Sequence, residues 1–146
     1  MHSMNAKLRT MENCVCFNLR CASRAMTRFY EAALAGSDLK VTQTPILGAL
    51  AANPDGLTMA RLSEWLEMDR TTLLRNLRPL EKQGFVKLAT DGRRTVLLLT
   101  KAGQRALADS FKAWQKAQQR VTATLGAKRW EEIIRDLEKA AAALAV

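Results

Sequence analysis

Between Asn13 and Leu34, apolar residues fall on more than one face of a helix: Cys14, Val15, Cys16, Phe17, Leu19, Ala22, Ala25, Met26, Phe29 and Ala33. Such a helix needs partners on two sides. Gly36-Ser37-Asp38 ends it, and Val41 to Ala52 predicts a shorter second helix with Pro45 in its first turn. A turn cluster, Asn53-Pro54-Asp55-Gly56, follows. Thr58 then suits the N-cap of a helix that buries Met59, Leu62 and Leu66. Met68 and Asp69 form a turn, with Asp69 capping the next helix. There Leu73, Leu77, Leu80 and Gly84 share one face, while Thr71, Arg75, Arg78 and Lys82 share the opposite one. Pro79 lies inside this helix and predicts a bend, because it removes one backbone hydrogen bond.

The pattern then changes. Phe85–Ala89 and Thr95–Leu99 read as short strands, and Asp91-Gly92 supplies the turn. Thr100 caps a long helix reaching about Leu125, with Leu107, Phe111 and Trp114 on one stripe. Gly126 breaks it. A final helix from Lys128 to Leu144 carries Trp130, Ile133, Ile134, Leu137 and Ala141 at helical spacing. The predicted chain is mainly α with one small β-hairpin.

Composition narrows the function classes. The chain has 146 residues, 48% of them hydrophobic, enough for a real core. Its net charge of +9 suits a polyanionic partner without choosing among DNA, RNA and an acidic membrane. No apolar run approaches the roughly 20 residues that span a bilayer, and Met1 to Thr10 is mostly polar, without a signal core. Three cysteines, an odd number, favour a reducing cytoplasm over a disulfide framework. One His, at position 2, with no paired carboxylates, Cys–His couple or phosphate-binding glycine loop, argues against an enzyme and against a metal or other cofactor.

Charge placement is more specific. From Asp69 to Arg94 there are seven basic residues against three acidic ones. A basic helix beside a basic hairpin tip offers one prong for each groove of double-stranded DNA. Arg70, Thr71, Thr72 and Arg75 are placed to reach base edges, with Leu74 available to a thymine methyl. Asn76, Arg78 and Lys82 suit backbone phosphates or neighbouring helices. The hairpin tip, Asp91-Gly92-Arg93-Arg94, forms the second prong. The plainer alternative for the helix is a solvated basic face.

The order of helices, the step Leu99-Thr100-Lys101-Ala102-Gly103 and the tip Asp91-Gly92-Arg93-Arg94 resemble the MarR family. The resemblance runs from about Cys14 to Leu144 and is strongest between Thr58 and Gly103. It implies a winged helix-turn-helix over residues 41–103, flanked by helical dimerisation regions at 1–40 and 104–146. It also implies a homodimer that places two recognition helices in successive major grooves of a pseudo-palindromic operator. In that family an aspartate at the wing tip holds an arginine that enters the minor groove, a pattern that Asp91 and Arg93 match.

Two effector readings follow from the resemblance. Family members bind aromatic carboxylates or phenols between the dimer helices and the winged domain. Here Arg20, Ser23, Arg24 and Tyr30 could face Gln43, Phe111 and Trp114, and the alternative is plain core packing. The stretch from Cys14 to Tyr30 also resembles the peroxide-sensing branch, with Cys16 at the position of the sensing thiol. Tyrosines that support the thiolate there are replaced here by Arg20 and Gln43. Helix geometry argues against other thiol chemistry: Cys14 and Cys16 point apart, and Cys14 and Cys21 are separated by about 10 Å along the axis. Three small packing residues are the ordinary alternative. The expected protein is therefore a cytoplasmic, homodimeric DNA-binding repressor released by a small aromatic ligand. Its alternatives are an oxidant sensor using Cys16 and a winged-helix module that docks on protein or RNA.

Overall fold

The computed structural model describes residues 12–144. His2 and the polar stretch Met1 to Thr10 therefore lie outside the described residues. The elements are α1 (Val15–Ala33), α2 (Thr44–Ala51), α3 (Met59–Trp65), α4 (Arg70–Lys82), β1 (Val86–Asp91), β2 (Arg94–Leu99), α5 (Lys101–Leu125) and α6 (Ala127–Leu144). The fold is mainly helical with one antiparallel hairpin, as expected. No helix among the described residues is long and apolar enough to cross a membrane.

The local capping chemistry is present at the expected sites. Thr58 accepts the Arg61 N–H (3.3 Å), Asp69 accepts the Thr72 N–H (2.9 Å), and Thr100 accepts the Gly103 N–H (3.1 Å). Each side-chain oxygen satisfies a donor that has no partner inside its helix. The second helix differs from expectation, starting at Thr44 rather than Val41. Pro45 must occupy the first turn, because further in its ring would clash with the preceding carbonyl. Residues 40–44 instead close into a turn on the Lys40 carbonyl, which accepts the N–H groups of Gln43 and Thr44. The hairpin is longer than predicted at the tip. Asp91 pairs with Arg94, so Gly92 and Arg93 alone make the turn, with Gly92 at φ 58°.

A third extended segment escaped the sequence reading. Leu57 and Leu97 exchange both backbone hydrogen bonds (3.1 and 2.8 Å). A side chain at Gly56 would strike the Leu97 carbonyl at 2.8 Å. That close approach, with a φ of 87°, explains the glycine before the bridge.

One core joins these elements: Leu39, Ile46, Leu47, Ala49, Leu50, Leu62, Leu73, Leu77, Leu80, Val86, Leu97 and Ala106. All of them fall between positions 39 and 106, inside the winged region and the start of α5. Neither α1 nor α6 contributes a fully buried residue. The two are held to α5 by specific contacts. Tyr30 Oη donates to Gln118 Oε1, Arg120 lies over the Phe29 ring at 5.2 Å, and Trp130 Nε1 donates to the Val121 carbonyl (2.7 Å). Burial lifts the Tyr30 phenol above its ordinary pKa, which keeps it a neutral donor. The outer faces of α1 and α6 stay apolar and exposed, including Val15, Phe17, Leu19, Ile134 and Leu137.

Candidate nucleic-acid interface and effector groove

The basic helix α4 is anchored by three leucines. Leu73, Leu77 and Leu80 are buried, so their spacing turns the opposite face outward. On that face Thr71, Leu74, Arg75, Arg78, Pro79 and Lys82 line a shallow groove of about 600 Å³. Arg70 is exposed in the first turn. The helix continues through Pro79, and Gln83 N–H still closes on the Pro79 carbonyl (2.9 Å). At the hairpin tip Arg93 and Arg94 are both exposed. The Asp91 carboxylate, expected to hold Arg93, lies outside the described side chains.

Two of the predicted contact residues are engaged within the chain. The Thr72 hydroxyl donates to the Asp69 carboxylate (2.6 Å). Asn76 donates to the Thr72 carbonyl (3.0 Å) and accepts from the Thr42 hydroxyl (3.0 Å). Both sit i, i+4 on the side of α4 that meets the α1–α2 connector. Sequence spacing could not show this, because Thr42 lies 34 positions away.

Asp69 sets the entry of α4. The Thr72 hydroxyl, followed by the Thr72 N–H, holds its carboxyl below the usual carboxylate range. A depressed folded-state pKa means the cap stabilises above the unfolded carboxylate pKa of about 3.9 and fades as pH falls through the folded value. Thermal melts should therefore show Asp69→Ala less stable than the native chain at neutral pH, with the difference closing in acid. Asp69→Asn, which keeps an oxygen acceptor, should retain most of the stability. A gap between Ala and native that is unchanged down to pH 2 would show that the carboxylate is not what caps α4.

The comparisons with known proteins identify this arrangement. A MarR family model matches residues 37–94. The M. tuberculosis transcriptional regulator MosR is 32% identical, with a TM-score of 0.78 over 89% of this chain and 96% of that one. The chain belongs to the MarR family. MosR in complex with DNA matches at 32% identity and TM-score 0.77, over 91% and 99% of the two chains. The repressor CouR on a 23-mer DNA duplex shares the fold at 23% identity and TM-score 0.80, over 90% and 94%. The S. aureus MepR–DNA complex does so at 24% identity and 0.77, over 90% and 98%. No curated protein matches by sequence.

The effector residues expected for a MarR-family regulator are only partly brought together. Phe111 and Trp114 stack at 5.4 Å and line a groove of about 400 Å³ with Val41, Thr44, Pro45, Gly48 and Leu107. The other expected residues do not line it. Gln43 is buried and accepts the Lys40 N–H (3.0 Å). Tyr30 is bonded to Gln118. Arg20 and Ser23 are exposed on α1, and the Arg24 guanidinium lies 3.2 Å from Cys21 Sγ. Among the groove's lining residues none is charged, and the Thr44 hydroxyl is the main polar side-chain group. The α2 residues of this lining were missed because periodicity does not reveal which helix faces α5. Cys14 and Cys16 are exposed and unpaired at the start of α1, and Cys21 is half-buried. Among the described residues no group of His, Cys, Asp and Glu could hold a metal ion.

Proposed function

We propose that this MarR-family regulator is a cytoplasmic, homodimeric repressor that reads a pseudo-palindromic operator. The observation that carries this reading is the exposed cationic face of α4 beside a two-arginine wing tip. Arg75, with Arg70, Thr71 and Leu74, faces the major groove, while Arg78 and Lys82 meet phosphates. Arg93 and Arg94 at the wing tip enter or flank the minor groove, where narrow A·T-rich sequence concentrates negative potential. Asp91 orients the wing arginine. Thr72 and Asn76 act by shaping α4. The DNA complexes of MosR, CouR and MepR support this assignment.

The second subunit follows from the terminal helices. Apolar residues on α1 and α6 stay in water in one chain, Phe17 at 50% exposure among them, and a symmetric partner would cover them. A small aromatic or phenolic ligand occupies the Phe111–Trp114 groove and shifts the dimer to a form with lower operator affinity. CouR has been solved with p-coumaroyl-CoA, which carries an aromatic group. The apolar lining favours a phenol or other uncharged ring over a carboxylate, unless a partner subunit supplies the cation.

Titrating duplexes from the region upstream of the coding sequence against scrambled duplex, at two salt concentrations, tests the reading. A preference of about a thousandfold that survives higher salt is expected. Weak, sequence-blind binding that disappears with salt would instead favour docking on protein or RNA. The oxidant-sensing alternative rests on the exposed Cys16 thiol and uses the same assay. Stoichiometric hydroperoxide should release operator from the native protein and not from Cys16→Ser; unchanged affinity would end it.

A further inference from the structure

The turn at residues 40–44 is tied to α1 on one side and to α4 on the other by side chains to which the proposed function gives no contact with DNA or ligand. On one side, Glu31 on α1 accepts the Val41 N–H through its carboxylate (2.9 Å). On the other, the Thr42 hydroxyl donates to Asn76 Oδ1 on α4 (3.0 Å), and Asn76 Nδ2 donates to the Thr72 carbonyl (3.0 Å). Thr72 is itself held by Asp69 at the start of the helix. The turn between these anchors is closed on itself. The Lys40 carbonyl accepts from Gln43 and Thr44, and the buried Gln43 amide accepts from Lys40. Two residues of the turn, Val41 and Thr44, also form one wall of the Phe111–Trp114 groove.

We propose that Thr42 and Asn76 are positioning residues that couple this groove to the DNA-reading helix within one subunit. The inference rests on the reading of the groove as the effector site. A ring entering between Phe111 and Trp114 presses on the wall carrying Val41 and Thr44. Because the turn is closed, the displacement reaches Thr42, and through Asn76 and Thr72 it reaches the first two turns of α4, which carry Thr71 and Arg75. Thr42 and Asn76 then do not touch DNA themselves. Their contribution is a coupling between two sites, each of which can be measured separately.

The groove can be filled without a ligand. Gly48 lines it, and a Cβ there meets nothing within 4 Å, so Gly48→Leu places a branched side chain in the space an effector would take. Operator affinity is measured for the native chain and Gly48→Leu, each alone and with Thr42→Val, Thr42→Ser or Asn76→Ala; a thermal melt confirms that each variant folds. Thr42 is exposed, and valine keeps its shape while removing the hydroxyl. In the native background Gly48→Leu should weaken operator binding about tenfold, a typical coupling. With Thr42→Val or Asn76→Ala that response should fall to about twofold or less, and Thr42→Ser, which keeps the donor, should restore it. A tenfold response that persists with Thr42→Val and Asn76→Ala overturns the proposal while leaving the groove as the effector site. No response to Gly48→Leu in any background, with operator binding intact, removes the groove reading and the coupling with it.

Discussion

Gly103→Ala should cost the protein about 3 kcal/mol or more of folding stability, although alanine is the better helix former by roughly 1 kcal/mol. The added Cβ would lie 2.2 Å from the Phe85 carbonyl oxygen and 2.7 Å from Leu99 Cδ1. The oxygen is backbone, and it cannot retreat freely. It accepts the Thr100 N–H (3.0 Å), and Thr100 Oγ1 bonds the neighbouring Gly84 carbonyl (2.6 Å) while also capping α5. Relief of the clash would therefore loosen the cap, the start of β1 and the seat of α5 together. Gly48→Ala is the control, with nothing near its Cβ and an expected gain of about 0.4–1 kcal/mol. Urea unfolding of the two variants beside the native chain decides the matter. Equal midpoints for Gly103→Ala and the native chain would show that the two backbones are not in contact.

Arg75→Ala should lower operator affinity by about ten- to a hundredfold while leaving scrambled-duplex binding nearly unchanged, as losing a base-reading arginine costs roughly 1–3 kcal/mol. Among the described side chains the ion pairs are Arg61–Glu64 and Arg129–Glu132, and neither involves Arg75. Arg75 is exposed on the half of α4 before Pro79 that is directed by the Asp69 cap, the position from which the proposed reading has it meet a guanine edge. Lys82→Ala makes the contrast. It should weaken both duplexes alike and reduce the salt dependence by about one counterion. Equal losses on operator and scrambled DNA for Arg75→Ala would move this residue to the phosphate class.

Much of this molecule is legible in the sequence. Thr58, Asp69 and Thr100 were read as caps, and each accepts the N–H three residues on. The sequence places Leu73, Leu77, Leu80 and Gly84 on the inner face of the basic helix; the three leucines are buried, while Gly84 is exposed beyond the helix end at Lys82. Asp91-Gly92 was read as the hairpin turn, which proved one residue further along, at Gly92-Arg93. Less was legible for the proposed effector groove. Phe111 and Trp114 were placed in it, while the α1 residues offered as their partners lie elsewhere or are bonded to other groups.

The division has a physical origin. Caps, turns and the polarity of a helix face depend on side chains within four positions of one another, where the backbone fixes the geometry, so sequence alone determined the elements, their order and the cationic face of α4. Which faces meet depends on packing among residues tens of positions apart, and periodicity is silent about partners. The tertiary structure alone decided that Gly103 lies against the Phe85 carbonyl and that Leu57 bridges Leu97. It alone decided that α2 walls the groove and that the Thr42 hydroxyl bonds Asn76, a residue the sequence placed at phosphates or neighbouring helices.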